Sequence, residues 1–218
     1  MLCALTELSL GENILFCKTS RNYGRDGPRG NKFRQEFEAR MFKHHDWLQR
    51  LFVVLYEPDV DQTLEVYAKP DGSRWLNYTR ATPSVSKAID AERWGYDTKK
   101  ELKAVHIMTN EIALPPNVAA QIELLWRAML PGLTREPESQ RVYMDHLSFV
   151  AFRRDNDSVQ TGRIAIAAID TPAYHAFADI VEDLIKACNG MSKEQRLARL
   201  PSKMHHLQSL LTTGKAKP

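Results

Sequence analysis

The chain has 218 residues, 43% hydrophobic and 26% charged, with 30 Lys and Arg against 27 Asp and Glu for a formal net charge of +3. That usage excludes collagen-like, low-complexity and wholly disordered chains, and the length fits one domain of ordinary size or two small ones, enough for a real core. The basic excess is smaller than a protein that coats nucleic acid carries.

No apolar run approaches the roughly 18 residues of a membrane-spanning helix; the longest lies around Leu51 to Tyr56. The N-terminus lacks a basic leader region and places Glu7 too early for a secretory core, so the chain as written reads as cytoplasmic. If the true start lies upstream, the alternative is a periplasmic or secreted protein. Cys3, Cys17 and Cys188 are too few for a disulfide framework, and none sits in a CxxC pair. They read as buried or incidental thiols, and a Cys17–Cys188 bridge is conceivable only in an oxidising compartment.

Leu8 to Thr19 reads as a hairpin or irregular strand, and the glycine- and arginine-rich stretch Arg21 to Asn31 as a loop. Its glycines fit neither GxGxxG nor GxxxxGKS spacing, so it is not a nucleotide-binding loop. From Lys32, with Asn31 as N-cap, Phe33, Phe37, Met41, His44, Leu48 and Leu51 recur at three and four residues, the stripe of an amphipathic helix. Leu51 to Glu57 reads as a buried strand ended by Pro58, and Thr63 to Lys69 alternates as a second. Pro70-Asp71-Gly72 is a turn, and Ser73 to Arg80 returns as the partner strand of a hairpin.

Residues 81–100 admit a short helix near Ser84 to Arg93, stopped by Gly95, or a functional loop. Glu101 to Leu114 has strand-like composition. Pro115-Pro116 opens a helix with Val118, Ile122, Leu125, Trp126 and Met129 inward, stopped at Pro131-Gly132. Arg141 to Arg153 and Thr161 to Ile169 read as strands joined by a turn at Arg154 to Ser158. Thr171-Pro172 starts a helix on Phe177, Ile180, Leu184 and Cys188, ending at Asn189-Gly190. Ser192 with Gln195 resembles a capping box for a last helix that Pro201 kinks or breaks.

This order predicts an α+β fold, a largely antiparallel sheet with helices packed on one face. Residues 1–190 form the single domain, and 191–218 a C-terminal helical extension and frayed tail.

Glu111-Ile112-Ala113-Leu114-Pro115, then Leu125-Trp126-Arg127-Ala128-Met129-Leu130, then Tyr143-Met144-Asp145-His146-Leu147-Ser148-Phe149 form a pattern that resembles uncharacterised conserved bacterial proteins. The likeness spans residues 111–188, about a third of the chain. It departs at Asp145-His146, where those proteins often carry Asp-Gly. It implies relatives that are often exported and have no assigned activity.

For chemistry, the doublets His44-His45 and His205-His206 come first, because two histidines with a carboxylate such as Asp46 suit zinc. Adjacent residues on a helix point about 100° apart, however, and ligand pairs sit at i, i+3 or i+4. No metal site is assigned to them. Asp145, His146 and Ser148 lack a nucleophile elbow and alternate across a strand, so no catalytic residue is assigned. Glu57, Asp59 and Asp61 lack the loop of an EF-hand and read as a solvated turn.

The hairpin face offers arginines and aromatics, the residue types enriched at binding hot spots. Tyr67, Arg74, Tyr78 and Arg80 are taken as the partner-binding residues, with the 81–100 segment as a second contact. The reading is a soluble, non-enzymatic protein that binds another protein in an accessory or immunity-type role, without cofactor or metal. Nucleic acid is not the expected partner, and the oligomeric state stays open. The alternative is a metal-dependent hydrolase built on His44, His45, His205 and His206.

Overall fold

Asp71 organises the turn at Pro70-Asp71-Gly72: its Oδ1 accepts from the Ser73 backbone N–H at 2.8 Å and hydroxyl at 2.6 Å. Gly72 takes the positive φ of 81° that the turn requires. In this computed structural model, which describes residues 16–18, 28–54, 60–90, 95–130, 148–155, 158–164 and 171–213, the turn joins strands β3 (Asp61–Ala68) and β4 (Arg74–Thr82). Glu65 lies opposite Asn77 and Tyr67 opposite Trp75.

Five further strands complete one sheet: β1 (Phe16–Lys18), β2 (Trp47–Val54), β5 (His106–Ala113), β6 (Ser148–Asp155) and β7 (Ser158–Ile164). Their order is β1-β7-β6-β2-β3-β4-β5, and every neighbouring pair is antiparallel. β2 to β5 form a meander. β6 then lies on the far side of β2. With six helices among the described residues, this is an α+β protein.

Leu51, Val53, Leu64, Val66, Leu76, Tyr78, Ile112, Ala151 and Ile164 make one apolar core with α4 (Pro116–Met129), α5 (Pro172–Cys188) and α6 (Lys193–Thr213). Each of these helices follows from its sequence. Pro116 and Pro172 occupy first-turn positions where a missing N–H costs nothing, and the Thr171 hydroxyl accepts from the Tyr174 N–H at 3.2 Å. Val118, Ile122, Leu125, Trp126 and Met129 are buried in α4, as are Phe177, Ile180, Leu184 and Cys188 in α5. Cys188 is a free thiol pushed up to about 12 by burial.

α6 runs through Pro201 without breaking. An internal proline costs a helix roughly 3 kcal/mol. Leu197, Leu200, Met204 and Leu207, on both sides of it, are all 5% exposed or less, and burying each contributes about 1.5–3 kcal/mol. Packing outweighs the local penalty. Of the stretch Thr212–Pro218, read as a frayed tail, Thr212 and Thr213 end α6, and residues 214–218 lie outside the described residues.

Between α5 and α6, Asp183 receives Arg196 and Lys203. Burial alone would raise this carboxyl; the hydrogen bonds from Lys203 and Arg196 outweigh it and hold the group below its ordinary value. A depressed carboxyl contributes stability above its unfolded value, about 4, and loses it as pH falls through the lower folded value. Asp183→Asn is therefore expected to destabilise the protein near neutrality, with a deficit that shrinks as pH falls through the lower folded value. Urea unfolding across that range checks it, and an equal deficit at both ends would contradict the linkage.

The other face carries a smaller cluster from α1 (Pro28–Met41), α2 (Val85–Asp90) and α3 (Thr98–Ala104): Phe37, Met41, Phe42, Val85, Ala88 and Leu102 around Ala81 of β4. Three expectations change here. The helix expected from Lys32 to Leu51 ends at Met41, and β2 starts at Trp47, so His44 is on neither element. The helix starts at Pro28, so Asn31 lies inside it instead of capping it. The first residues of the expected strand 101–114 belong to α3, whose N-cap Asp97 accepts from the N–H groups of Lys99 and Lys100.

Candidate functional site

Period two places Arg74, Leu76, Tyr78 and Arg80 on one face of β4, and that face is the one the long helices cover. Tyr78 is 2% exposed, its hydroxyl donates to Gln62 Oε1 at 2.8 Å, and burial raises its phenol above the ordinary value. Tyr67 is also buried and lies on the opposite face. Arg80 is exposed, and Arg74 sits half-buried at the other end of β4. The four expected contact residues therefore do not share one accessible surface. An apolar Leu76-Tyr78 pair was needed beneath the helices.

Tyr67 belongs to a polar row instead. Arg50, Glu65, Asn77 and Glu111 stand opposite one another across β2, β3, β4 and β5. Glu65 is fully buried; Oε1 accepts from Arg50 Nε at 2.7 Å, and Oε2 from the backbone N–H groups of Lys43 and His44. A one-residue irregularity between Trp47 and Gln49 brings Trp47 to this face, where the Arg50 guanidinium lies 4.5 Å from its ring and 4.3 Å from that of Phe42.

At the β5 end, Glu111 accepts from the Tyr67 hydroxyl and meets His44 Nε2, both at 3.1 Å, and the His44 ring stacks on Tyr67 at 3.5 Å. Burial, then the Glu111 hydrogen bond and charge, push the Tyr67 phenol up to about 12. A phenol held protonated can donate but is no nucleophile near neutrality. Both carboxylates are occupied by protein donors, so the row fastens the 42–46 connection to the sheet.

The histidine doublets do not meet. His44 lies over the polar face, whereas His205 and His206 are exposed on α6, in the layer over the apolar face. No group of three or more His, Cys, Asp or Glu side chains among the described residues is placed to hold a metal. Glu57, Asp59, Asp145 and His146 lie outside the described residues, and Asp61 is buried at the start of β3.

One accessible feature is an edge of the sheet. Among the described residues, β5 pairs with β4 on one side and ends the strand order on the other. It is eight residues long, reads HIMTNEIA, and contains neither lysine nor proline, two common protections of an edge. Ile107 is 37% and Met108 42% exposed, and Arg80 stands opposite Met108. In the 81–100 segment, Tyr96 is 64% exposed. Asn110 Nδ2 donates to Asn189 Oδ1 at the end of α5, which fixes the middle of the strand. No helix among the described residues is long and apolar enough to cross a membrane. Comparison with known families, curated proteins and solved structures found no match.

Proposed function

We propose that the protein acts by binding another protein, without catalysis, and that an extended segment of the partner pairs with the β5 edge. The observation that carries this reading is an eight-residue edge that no strand among the described residues covers, with Ile107 and Met108 exposed upon it. An added strand gains main-chain hydrogen bonds for affinity and alternate side-chain contacts for specificity. Arg80, exposed and opposite Met108, stands beside this edge to add a charged contact. The accessory or immunity-type role expected from the sequence fits such a module.

The test uses the untagged protein crosslinked in an extract of its source. Hydrogen exchange on the recovered complex is expected to show amides of residues 106–110 slowed relative to the free chain. Ile107→Lys with Met108→Lys, which installs the missing edge protection, is expected to weaken capture at least about tenfold, or 1.4 kcal/mol, with an unchanged melting curve. Protection confined to another surface, with β5 exchange unaltered, would overturn the assignment. Sedimentation at rising concentration separates a foreign partner from a second copy of the chain.

A further inference from the structure

At the far end of the sheet from Arg80, a groove of about 620 Å³ opens between α4 and the ends of the central strands. Four arginines line it: Arg74 from β4, Arg127 from α4, and Arg153 and Arg154 from β6. Its two carboxylates are Asp46 and Glu123, and Glu123 is already paired with Arg127 one helical turn along. The groove is thus formally positive.

Two of the guanidinium groups, those of Arg74 and Arg154, are held by neutral partners. Arg74 donates to the Gly72 carbonyl at 3.0 Å. Arg154 donates to the His45 carbonyl at 2.6 Å, and its guanidinium lies 4.6 Å from the Trp47 ring centroid. Carbonyls and a ring position these two side chains without cancelling their charge. Each of these two guanidinium groups has five N–H donors and gives one to a carbonyl, which leaves others for a ligand. Gln49, 5% exposed and in regular register beside Arg50, faces away from the polar row and lines this groove.

We propose that this groove binds a small, multiply charged oxyanion, a polyphosphate or a polycarboxylate. Arginine forks match both groups bidentately. The volume falls within the roughly 300–1,000 Å³ typical of small-molecule sites. Convergence of four arginines from three elements on one concavity is not what a solvated charged surface requires.

Isothermal titration of the full chain with inorganic pyrophosphate, tripolyphosphate and citrate tests the proposal. Saturable one-to-one binding is expected, weakened at least about tenfold by Arg74→Gln and by Arg154→Gln, and weakening as salt rises. Lys103→Gln on α3, outside the groove, is expected to leave it unchanged. Preference for the phosphates or for citrate decides which oxyanion the site takes. Arg74→Lys keeps the charge but loses the fork and is expected to fall between parent and Arg74→Gln. The proposal is overturned if no probe binds at millimolar concentration, or if Lys103→Gln weakens binding as much as the groove variants do. Heating the unaltered protein with each probe removes any dependence on how a variant folds: the melting temperature is expected to rise with probe concentration, and a temperature that no probe moves would also overturn the site.

Discussion

Replacing Glu65 by alanine is expected to cost about 3–5 kcal/mol of folding stability. The side chain is 0% exposed and satisfies three donors at once: Arg50 Nε and the backbone N–H groups of Lys43 and His44. Burial already pulls the Arg50 guanidinium below its ordinary value, and the Glu65 carboxylate opposes that pull. Without Glu65, a side chain only 13% exposed keeps its charge but loses its carboxylate. The cost is thus mainly that of an unpaired buried ion, not of a broken attraction. Removing both charges separates the two: Arg50→Met with Glu65→Leu is expected to recover the part of the loss due to the unpaired guanidinium, but not the part due to the Lys43 and His44 N–H groups, which still lack their acceptor. Urea unfolding of the single and double variants gives the coupling energy. A Glu65→Ala deficit below about 1 kcal/mol would mean that water or rearranged donors replace the carboxylate.

That row also shows where the sequence stops being legible. The Pro70-Asp71-Gly72 turn implies the pairing of Glu65 with Asn77, because a hairpin's register follows from its turn. It says nothing of Arg50 or Glu111, which arrive from β2 and β5 through longer connections. Likewise, period two groups Arg74, Leu76, Tyr78 and Arg80 on one face, but which face receives the helices is decided by the whole sheet. Tyr78, expected at a binding surface, is therefore core.

Local signals succeed where local physics decides. The first-turn prolines, the Thr171 cap and the three-four spacing define α4 and α5. They fail where partners compete. Met41, His44, Leu48 and Leu51 continue a helical spacing, yet residues 49–54 pair with both β3 and β6, and that two-sided ladder ends the helix. At α3, the apolar run from Leu102 onward masks Asp97, a capping residue whose oxygen meets two backbone N–H groups. The edge at β5 is not readable at all, since edge status is a property of strand order. The arginine groove is half readable: Arg74 stands out by composition, but Arg127 and Arg153 reach it only through the fold.

A chain ending at Gly190 is expected to lose cooperative unfolding, with its near-ultraviolet circular dichroism collapsed and its apolar surface open to dye. Along the sequence, residues 191–218 look like an extension; in the fold, α6 supplies Leu197, Leu200, Met204 and Leu207 to the same core as the sheet. At about 1.5–3 kcal/mol for each buried side chain, their sum rivals the roughly 5–15 kcal/mol that holds a whole domain. The truncation also strips Arg196 and Lys203 from Asp183, leaving that carboxylate beside an uncovered α5. Leu200→Ala gives the graded version: at 0% exposure it is expected to cost about 2–5 kcal/mol while the fold survives. Thermal unfolding of the two variants distinguishes the alternatives. A truncated chain that melts cooperatively at the parent's temperature would make α6 an appendage. A truncated chain that fails to fold, beside a Leu200→Ala protein that folds but melts early, makes it the third helix of the layer.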